Sequence, residues 1–349
     1  MLRRLKHQVE KLMPKKVETK VLCPLSNTQV FWYKSLLLKD INLLARATTT
    51  ISTDVPENES TTPSGSSGST SKVLNNLVMQ LRKCCLHPYL FDGAEIDIET
   101  TTLEDLIAAS GKLTVLDKLL RSLYEKKHRV VLFSQFTSIL DILDDYCTMR
   151  DWKHCRFDGS TPRARRNFTV NEFNAPGSDY FVLLMSTRSG GMGLNLQTAD
   201  TCILFDSDWN PQPDLQAMAR VHRIGQTKTV HVYRLVCGGT IEERVVERAQ
   251  KKLYLDQMVN QDGGKEKSTL VITADKSTID ADQLIHEQQE LDISKGDLLA
   301  TLKFGCNAVF GAGVEKQNML PTDEEIEVIT DRSRSETFSD GKLQGVYHV

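Results

Sequence analysis

No apolar run in this 349-residue chain approaches the roughly 20 residues that a bilayer-spanning helix requires, so no membrane-crossing helix is expected. Cysteine is sparse and poorly placed for stapling. The eight cysteines are scattered and no pair has Cys-x-x-Cys spacing, so a disulfide framework is not expected and the chain reads as a reduced, intracellular protein. Cys84, Cys85 and His87 lie together, but adjacent thiols make a poor tetrahedral clamp and no second ligand pair follows. They read as structural, and no metal site is expected. An excess of one charge is also missing, because a net charge of -3 gives no overall attraction to nucleic acid. The distribution is more informative: residues 1–46 carry ten Lys or Arg against three Asp or Glu, while the segment after Leu255 is acidic. Such ends suit a nucleic-acid contact and a partner-binding or regulatory tail, or simply two solvated helical faces.

The residues that are present punctuate the chain clearly. Met1 to Lys16 and Ser26 to Ala47 read as helices, with a short strand over Val17 to Pro24 between them. Thr48 to Ser71 is rich in Ser, Thr, Gly and Pro and too poor in apolar residues to bury a core; it reads as a disordered loop. A helix from Leu74 stops at His87-Pro88, and a second linker follows. Short runs rich in Val, Leu, Ile and Phe then alternate with amphipathic segments. Val130 to Phe136, His154 to Phe157, Tyr180 to Ser186, Thr201 to Asp206 and Val230 to Val236 read as strands. Ser138 to Met149, Pro162 to Phe173 and Pro213 to His222 read as helices. The expected class is α/β, a parallel sheet covered on both faces, with ligands collecting at the strand C-terminal ends. A long helix, Thr240 to Gln261, closes the lobe, with Thr240 as its N-cap. Weaker helical patches follow at Ala281 to Leu291 and Gly296 to Phe304, and a capping signal precedes Ile326 to Thr330. The last residues read as frayed.

Two segments carry chemistry. Ser186 to Leu196, Ser-Thr-Arg-Ser-Gly-Gly-Met-Gly-Leu-Asn-Leu, directly follows an apolar strand. Its glycines let backbone N–H groups approach an anion, and Thr187 and Arg188 add donors, although a tight turn alone would also use glycine. Gln212 to Gln226 sets Arg220 and Arg223 three residues apart. On one helix both would face the same way, as a transferring phosphoryl group requires. Between these segments Trp209 stands among polar residues at a strand end, where it could lean on a nucleic-acid backbone or pack into the core.

These segments closely resemble motifs V and VI, and the stretch between them, of Swi/Snf-type chromatin-remodelling ATPases within helicase superfamily two. Leu132-Phe133-Ser134-Gln135-Phe136 is similar to motif IV and Phe157-Asp158-Gly159-Ser160 to motif IVa. Pro88 to Glu95 and Asp214 to Met218 resemble the imitation-switch subfamily in particular. Leu86 departs from the family's usual Asn and Ala219 from the subfamily's usual Asp, but no motif arginine is lost. The resemblance spans roughly residues 1 to 262, and Gly296 to Phe310 with Asp323 to Arg334 is similar to the regulatory segment that follows the second lobe.

The resemblance implies a RecA-like helicase C-terminal lobe over 110–262. It is preceded by a helical segment over 1–47, the loop over 48–72 and a helical protrusion with its linker over 73–109, and followed by a mostly helical, partly disordered acidic tail over 263–349. It further implies that Arg220 and Arg223 are arginine fingers, that Gly191, Gly193 and Gln216 shape the wall of the ATP site, and that Ser134, Gln135, Ser160, Thr187 and Arg188 hold phosphates of one DNA strand. Trp209 would link that grip to nucleotide state. ATP and Mg2+ would be held mainly by a first lobe. The implied partners are double-stranded DNA, nucleosomes with their histones, the first motor lobe and remodeller subunits, in the nucleus. A non-catalytic DNA- or histone-binding fragment and a lobe of a strand-separating helicase are the alternatives. The family's phosphate loop is not matched: Ser110-Gly111-Lys112-Leu113 has Leu106 where the first glycine belongs and Leu113 where Ser or Thr belongs, and Asp323-Glu324-Glu325 follows no strand. The chain therefore reads as the back half of a motor, inactive without a first lobe.

Overall fold

The computed structural model describes residues 13–39, 67–95, 100–189, 193–261, 295–310, 320–332 and 345–347. Its frame is one sheet of seven strands: β1 (Lys16–Cys23), β2 (Val130–Ser134), β3 (His154–Phe157), β4 (Val182–Ser186), β5 (Thr201–Leu204), β6 (Val230–Cys237) and β7 (Gly345–Tyr347). The order across the sheet is β3-β4-β2-β5-β6-β1-β7, and every pairing is parallel. β2, β4 and β5 are buried along their whole length, which explains why they read as continuous apolar runs without alternation. Successive residues of β2 serve opposite faces. Val130 and Leu132 belong to one core, Val131 and Phe133 to the other.

The first face is covered by α3 (Leu103–Ala109), α4 (Gly111–Glu125) and α5 (Thr137–Met149), and the second by α6 (Arg163–Asn174) and α7 (Pro211–Val221). A third cluster joins α1 (Asn27–Lys39), α2 (Ser67–Leu86), the start of α8 (Ile241–Gln261) and α9 (Lys295–Phe310) beyond the end of β6. Local chemistry starts these helices where expected. Ser110 caps α4 through Leu113 N–H, Thr102 and Asp105 form a capping box on α3, and Thr240 accepts from Glu242 N–H at the head of α8.

Several boundaries differ from the sequence reading. α2 begins at Ser67, inside the Ser-rich run expected to be loop up to Ser71, because its buried stripe from Leu74 onward stabilises a turn of Ser, Gly and Thr ahead of it. β1 lies within the sheet, between β6 and β7, rather than in a segment preceding the lobe. Gly345 to Tyr347, read as frayed, pair with β1. α10 (Asp323–Thr330) and α9 contribute buried residues to the lobe: Ile326 and Ile329 to the first core, Leu298, Leu299 and Leu302 to the third cluster. The helix expected over Met1 to Lys16 falls outside the described residues up to position 12 and gives way to β1 at Lys16, and the Ala281 to Leu291 patch lies outside them entirely.

Candidate functional site

An all-parallel sheet brings the strand C-termini to one edge, and the loops leaving β2, β3, β4 and β5 meet there. Ser134 ends β2 fully buried: its carbonyl accepts from Thr187 N–H at 2.8 Å and its hydroxyl accepts from Phe136 N–H at 3.3 Å. Gln135 donates its backbone N–H to the Asp206 carboxylate at 3.0 Å, while its side-chain Nε2 is buried without a hydrogen-bond partner. Thr187 Oγ1 is in the same condition. Two unsatisfied polar atoms on adjacent loops are costly unless a water or a ligand completes them. Arg188 and Ser160 are exposed on the same edge. Ser160 donates its backbone N–H and its hydroxyl to Asp158 Oδ1, at 2.9 and 2.6 Å. Burial opposes the charge of Asp158, but the Ser160 hydroxyl and Arg156 guanidinium outweigh it and hold the carboxyl at about 2. Trp209 is half-buried against the third cluster, so its ring serves packing as well as standing at the strand end.

The arginine pair does not sit as the sequence suggested. α7 stops at Val221, His222 takes a non-helical conformation with φ -87° and ψ 82°, and Arg223 follows in a turn closed by Gly225 at φ +99°. Only Arg220 is on the helix; the two do not share a helical face. The turn still brings Arg223 to the glycine-rich segment. Its Nη1 donates to Gly193 O at 2.9 Å and Leu194 O at 3.2 Å, and Arg220 O accepts from Leu196 N–H at 3.1 Å. Among the described residues Arg223 forms no salt bridge, so its charge is positioned by carbonyls without being neutralised. Gly193 has φ +74° and open space at its Cβ position, so glycine is needed there for conformation and not for clearance. Gln216 is exposed on α7; Gly191 lies outside the described residues.

Some residues with a suggestive chemistry prove to be internal. Lys112 is fully buried, donating to Phe205 O at 2.7 Å and to Glu242 Oε1 at 2.8 Å, with Glu242 Oε2 2.7 Å away in the same ion pair. Enclosed with that carboxylate, the ammonium is not exposed to a phosphate. Asp323 pairs with Lys118, and Glu325 completes the capping box of α10. Both nitrogens of His87 are occupied, Nε2 by Leu106 O and Nδ1 by Tyr89 N–H, and burial pushes the ring down to about 4. Cys85, Cys237 and Glu242 converge within 4.8 Å. Glu242 is committed there to Lys112 and to Cys237 N–H, a poor setting for a further cation.

Sequence reasoning missed four residues that hold this site. Arg82 on α2 donates to Ser207 O at 2.8 Å, lies 3.8 Å from Asp206 and covers the Phe136 ring. Arg234 on β6 donates to Ser207 Oγ, to Asp214 Oδ2 and to Glu18 Oε1. Asp206 is fully enclosed, and burial pushes its carboxyl up against the pull of Arg82. Asp214, in the first turn of α7, is pushed up to about 6 by burial despite Arg234. Asp214 appeared in the sequence only as part of a motif, and the arginines left no local signal: Arg82 is 125 positions from its acceptor.

Comparison with known proteins agrees with this arrangement. The helicase conserved C-terminal domain matches residues 111–225 and the SNF2-related domain matches residues 1–90. The ISWI chromatin-remodeling complex ATPase ISW2 of Saccharomyces cerevisiae is 46% identical over 97% of this chain and 26% of its own length. The human SWI/SNF-related matrix-associated actin-dependent regulator of chromatin subfamily A member 1 is 45% identical over 97% of this chain and 28% of its own. The chain thus spans about a quarter of the length of these relatives. Among solved structures, the C-terminal part of the Fun30 ATPase domain aligns with a TM-score of 0.55 at 27% identity, covering 68% of this chain and 89% of that one. The Sulfolobus solfataricus SWI2/SNF2 ATPase core in complex with double-stranded DNA aligns with a TM-score of 0.54 at 25% identity, covering 72% and 47%. With motif loops on one parallel sheet edge, the arginine turn against the glycine-rich segment and this identity along nearly its whole length, the chain belongs to the SNF2-related family, carries its helicase conserved C-terminal domain, and is similar to imitation-switch and chromodomain-helicase members.

Proposed function

We propose that this chain is the second lobe of a nuclear, DNA-dependent ATPase that translocates on double-stranded DNA to slide or space nucleosomes. The observation that carries the reading is the convergence of two unsatisfied polar atoms, Gln135 Nε2 and Thr187 Oγ1, with exposed Ser160 and Arg188 on one sheet edge. That edge suits a row of phosphates, which carry no base identity, so the grip is indifferent to sequence. Ser134, inward and engaged, acts by holding the Gln135 loop, and Trp209 braces the loop beside it.

Arg220 and Arg223 act as arginine fingers, Arg220 from the last turn of α7 and Arg223 from the turn beyond. An un-neutralised guanidinium held by two carbonyls suits an anionic polyphosphate, and the family resemblance assigns Gly191, Gly193 and Gln216 to the wall of that site. ATP with Mg2+, bound chiefly on the first lobe, supplies the phosphoryl group whose charge these residues stabilise. Histones and remodeller subunits complete the set of partners.

The test joins this chain to the first lobe of an imitation-switch relative and measures DNA-stimulated ATP hydrolysis. Restored turnover is expected, and Arg223→Ala should lower it by about 10³-fold or more. Unchanged turnover in that variant removes Arg223 from the chemistry. Scoring strand separation and nucleosome sliding in parallel separates a remodeller from a strand-separating helicase.

A further inference from the structure

The phosphate-facing edge and the arginine turn lie at opposite ends of α7. Eleven helical residues at about 1.5 Å each span about 16 Å, so a single phosphate bound at that edge does not also touch the arginines. A motor whose hydrolysis answers to DNA needs a mechanical link between them. We infer that Arg234, acting through Ser207 and Asp214, is the joint that ties the DNA-facing loops to the start of α7 and thereby positions the arginine turn. This rests on the function proposed above.

The contacts form one unbroken path. Gln135 N–H is bound to Asp206; Arg82 holds Asp206 at 3.8 Å and Ser207 O at 2.8 Å. Ser207 is the shared residue: its carbonyl takes Arg82, and its hydroxyl accepts from Arg234 Nη1 at 2.7 Å. The same Nη1 reaches Asp214 Oδ2 at 2.6 Å, in the first turn of α7. Nη2 is anchored on Glu18 of β1 at 2.9 Å, which gives the joint a fixed base in the sheet. Asp214 Oδ1 is buried without a partner, so Arg234 governs where this carboxylate sits. The loop between the two contacts contains Asn210, whose side chain accepts from Gln212 N–H and caps α7. A movement of residues 206–210 when phosphate binds thus reaches the helix by its cap and by the Asp214 tether together.

The far end of the helix is tied as well. Arg220 O accepts from Leu196 N–H, His222 Nε2 lies 2.8 Å from Pro14 O, and Arg223 is bound to Gly193 O. A shift of α7 must therefore be felt in the glycine-rich segment. Arg234 touches neither reactant; it is a positioning residue.

The experiment uses the full 349-residue chain with a mixed-sequence 30-base-pair duplex and follows amide hydrogen exchange with and without DNA. In the wild type, DNA should change exchange in 206–210, in 211–221 and in 193–196. Ser207→Ala deletes one hydroxyl and is expected to keep DNA affinity within about 2-fold and the response in 206–210, while the response in 211–221 and 193–196 falls by at least half. Ser207→Thr restores the hydroxyl and should restore the response. Arg234→Lys keeps the charge but loses the fork that reaches three partners, and should behave like Ser207→Ala; if it fails to fold, the Ser207 pair decides alone. An undiminished α7 response in Ser207→Ala, or DNA binding with no α7 response in the wild type, overturns the joint and leaves the DNA reading intact. No DNA binding at all overturns both.

Discussion

Lys112 has the environment in which a single charge decides the stability of a lobe. Its ammonium and the Glu242 carboxylate are enclosed together, and although burial works against the lysine's charge, Glu242 outweighs it and raises its pKa. Lys112→Met should destabilise the chain by about 3–5 kcal/mol, because Glu242 is left buried and alone. Adding Glu242→Leu should recover about 2 kcal/mol of that loss, leaving about 1–3 kcal/mol for the stranded Cys237 N–H and Phe205 O. Urea unfolding of the two variants checks it; a double variant as unstable as the single would show that packing, not pairing, is at stake. In sequence Leu106 and Leu113 stand where a phosphate loop carries its first glycine and its Ser or Thr, and in the structure Lys112 is spent on Glu242 and Phe205 O. The arginine turn was less legible. A helical pattern through Arg220 runs smoothly to Arg223 in sequence, but the chain leaves the helix at His222, and the one local stop signal, Gly225, comes three residues late.

At the scale of elements, the residues nearest a segment set its identity and distant ones set its place. α10 was legible from Thr322 and Glu325, which form the capping box that their spacing suggests. Its docking was not, because Ile326 and Ile329 find Leu116, Leu119 and Leu120 of α4 in a core assembled from both ends of the chain. Thr330 Oγ1 lies 2.9 Å from Ser122 Oγ and accepts from Lys126 at 2.7 Å, and Tyr233 O–H donates to Ile329 O. A helix held this way unfolds with the lobe. Ile326→Ala should lower global stability by about 2–4 kcal/mol, and Thr322→Ala by about 1 kcal/mol, both within a single cooperative transition. Denaturation followed by tryptophan fluorescence measures this, and an unshifted midpoint in Ile326→Ala would mean that α10 is a detachable tail.

For the whole molecule, the sheet was legible because its buried strands are short apolar runs between amphipathic helices, whereas the place of β1 depends on a pairing with β6 more than 200 residues away that leaves no local trace. The same scale governs DNA binding. With a net charge of -3 the chain has no general attraction for a polyanion, so affinity arises from local groups such as those on the strand C-terminal edge. Binding should then be weak, fall with salt at a shallow slope of about -0.9 per phosphate neutralised, and vary little among duplexes of different sequence. Arg188 is an exposed cation on that edge. Arg188→Ala should weaken binding equally for every duplex and make the slope shallower by about 1, the signature of one lost phosphate contact. Ser160 spends its hydroxyl proton on Asp158, so Ser160→Ala should loosen that turn and reduce affinity modestly without changing the slope. Fluorescence anisotropy across a salt series with three unrelated duplexes resolves these outcomes. If Arg188→Ala weakens one duplex and spares the others, the edge reads bases, and a grip built on phosphates alone is wrong.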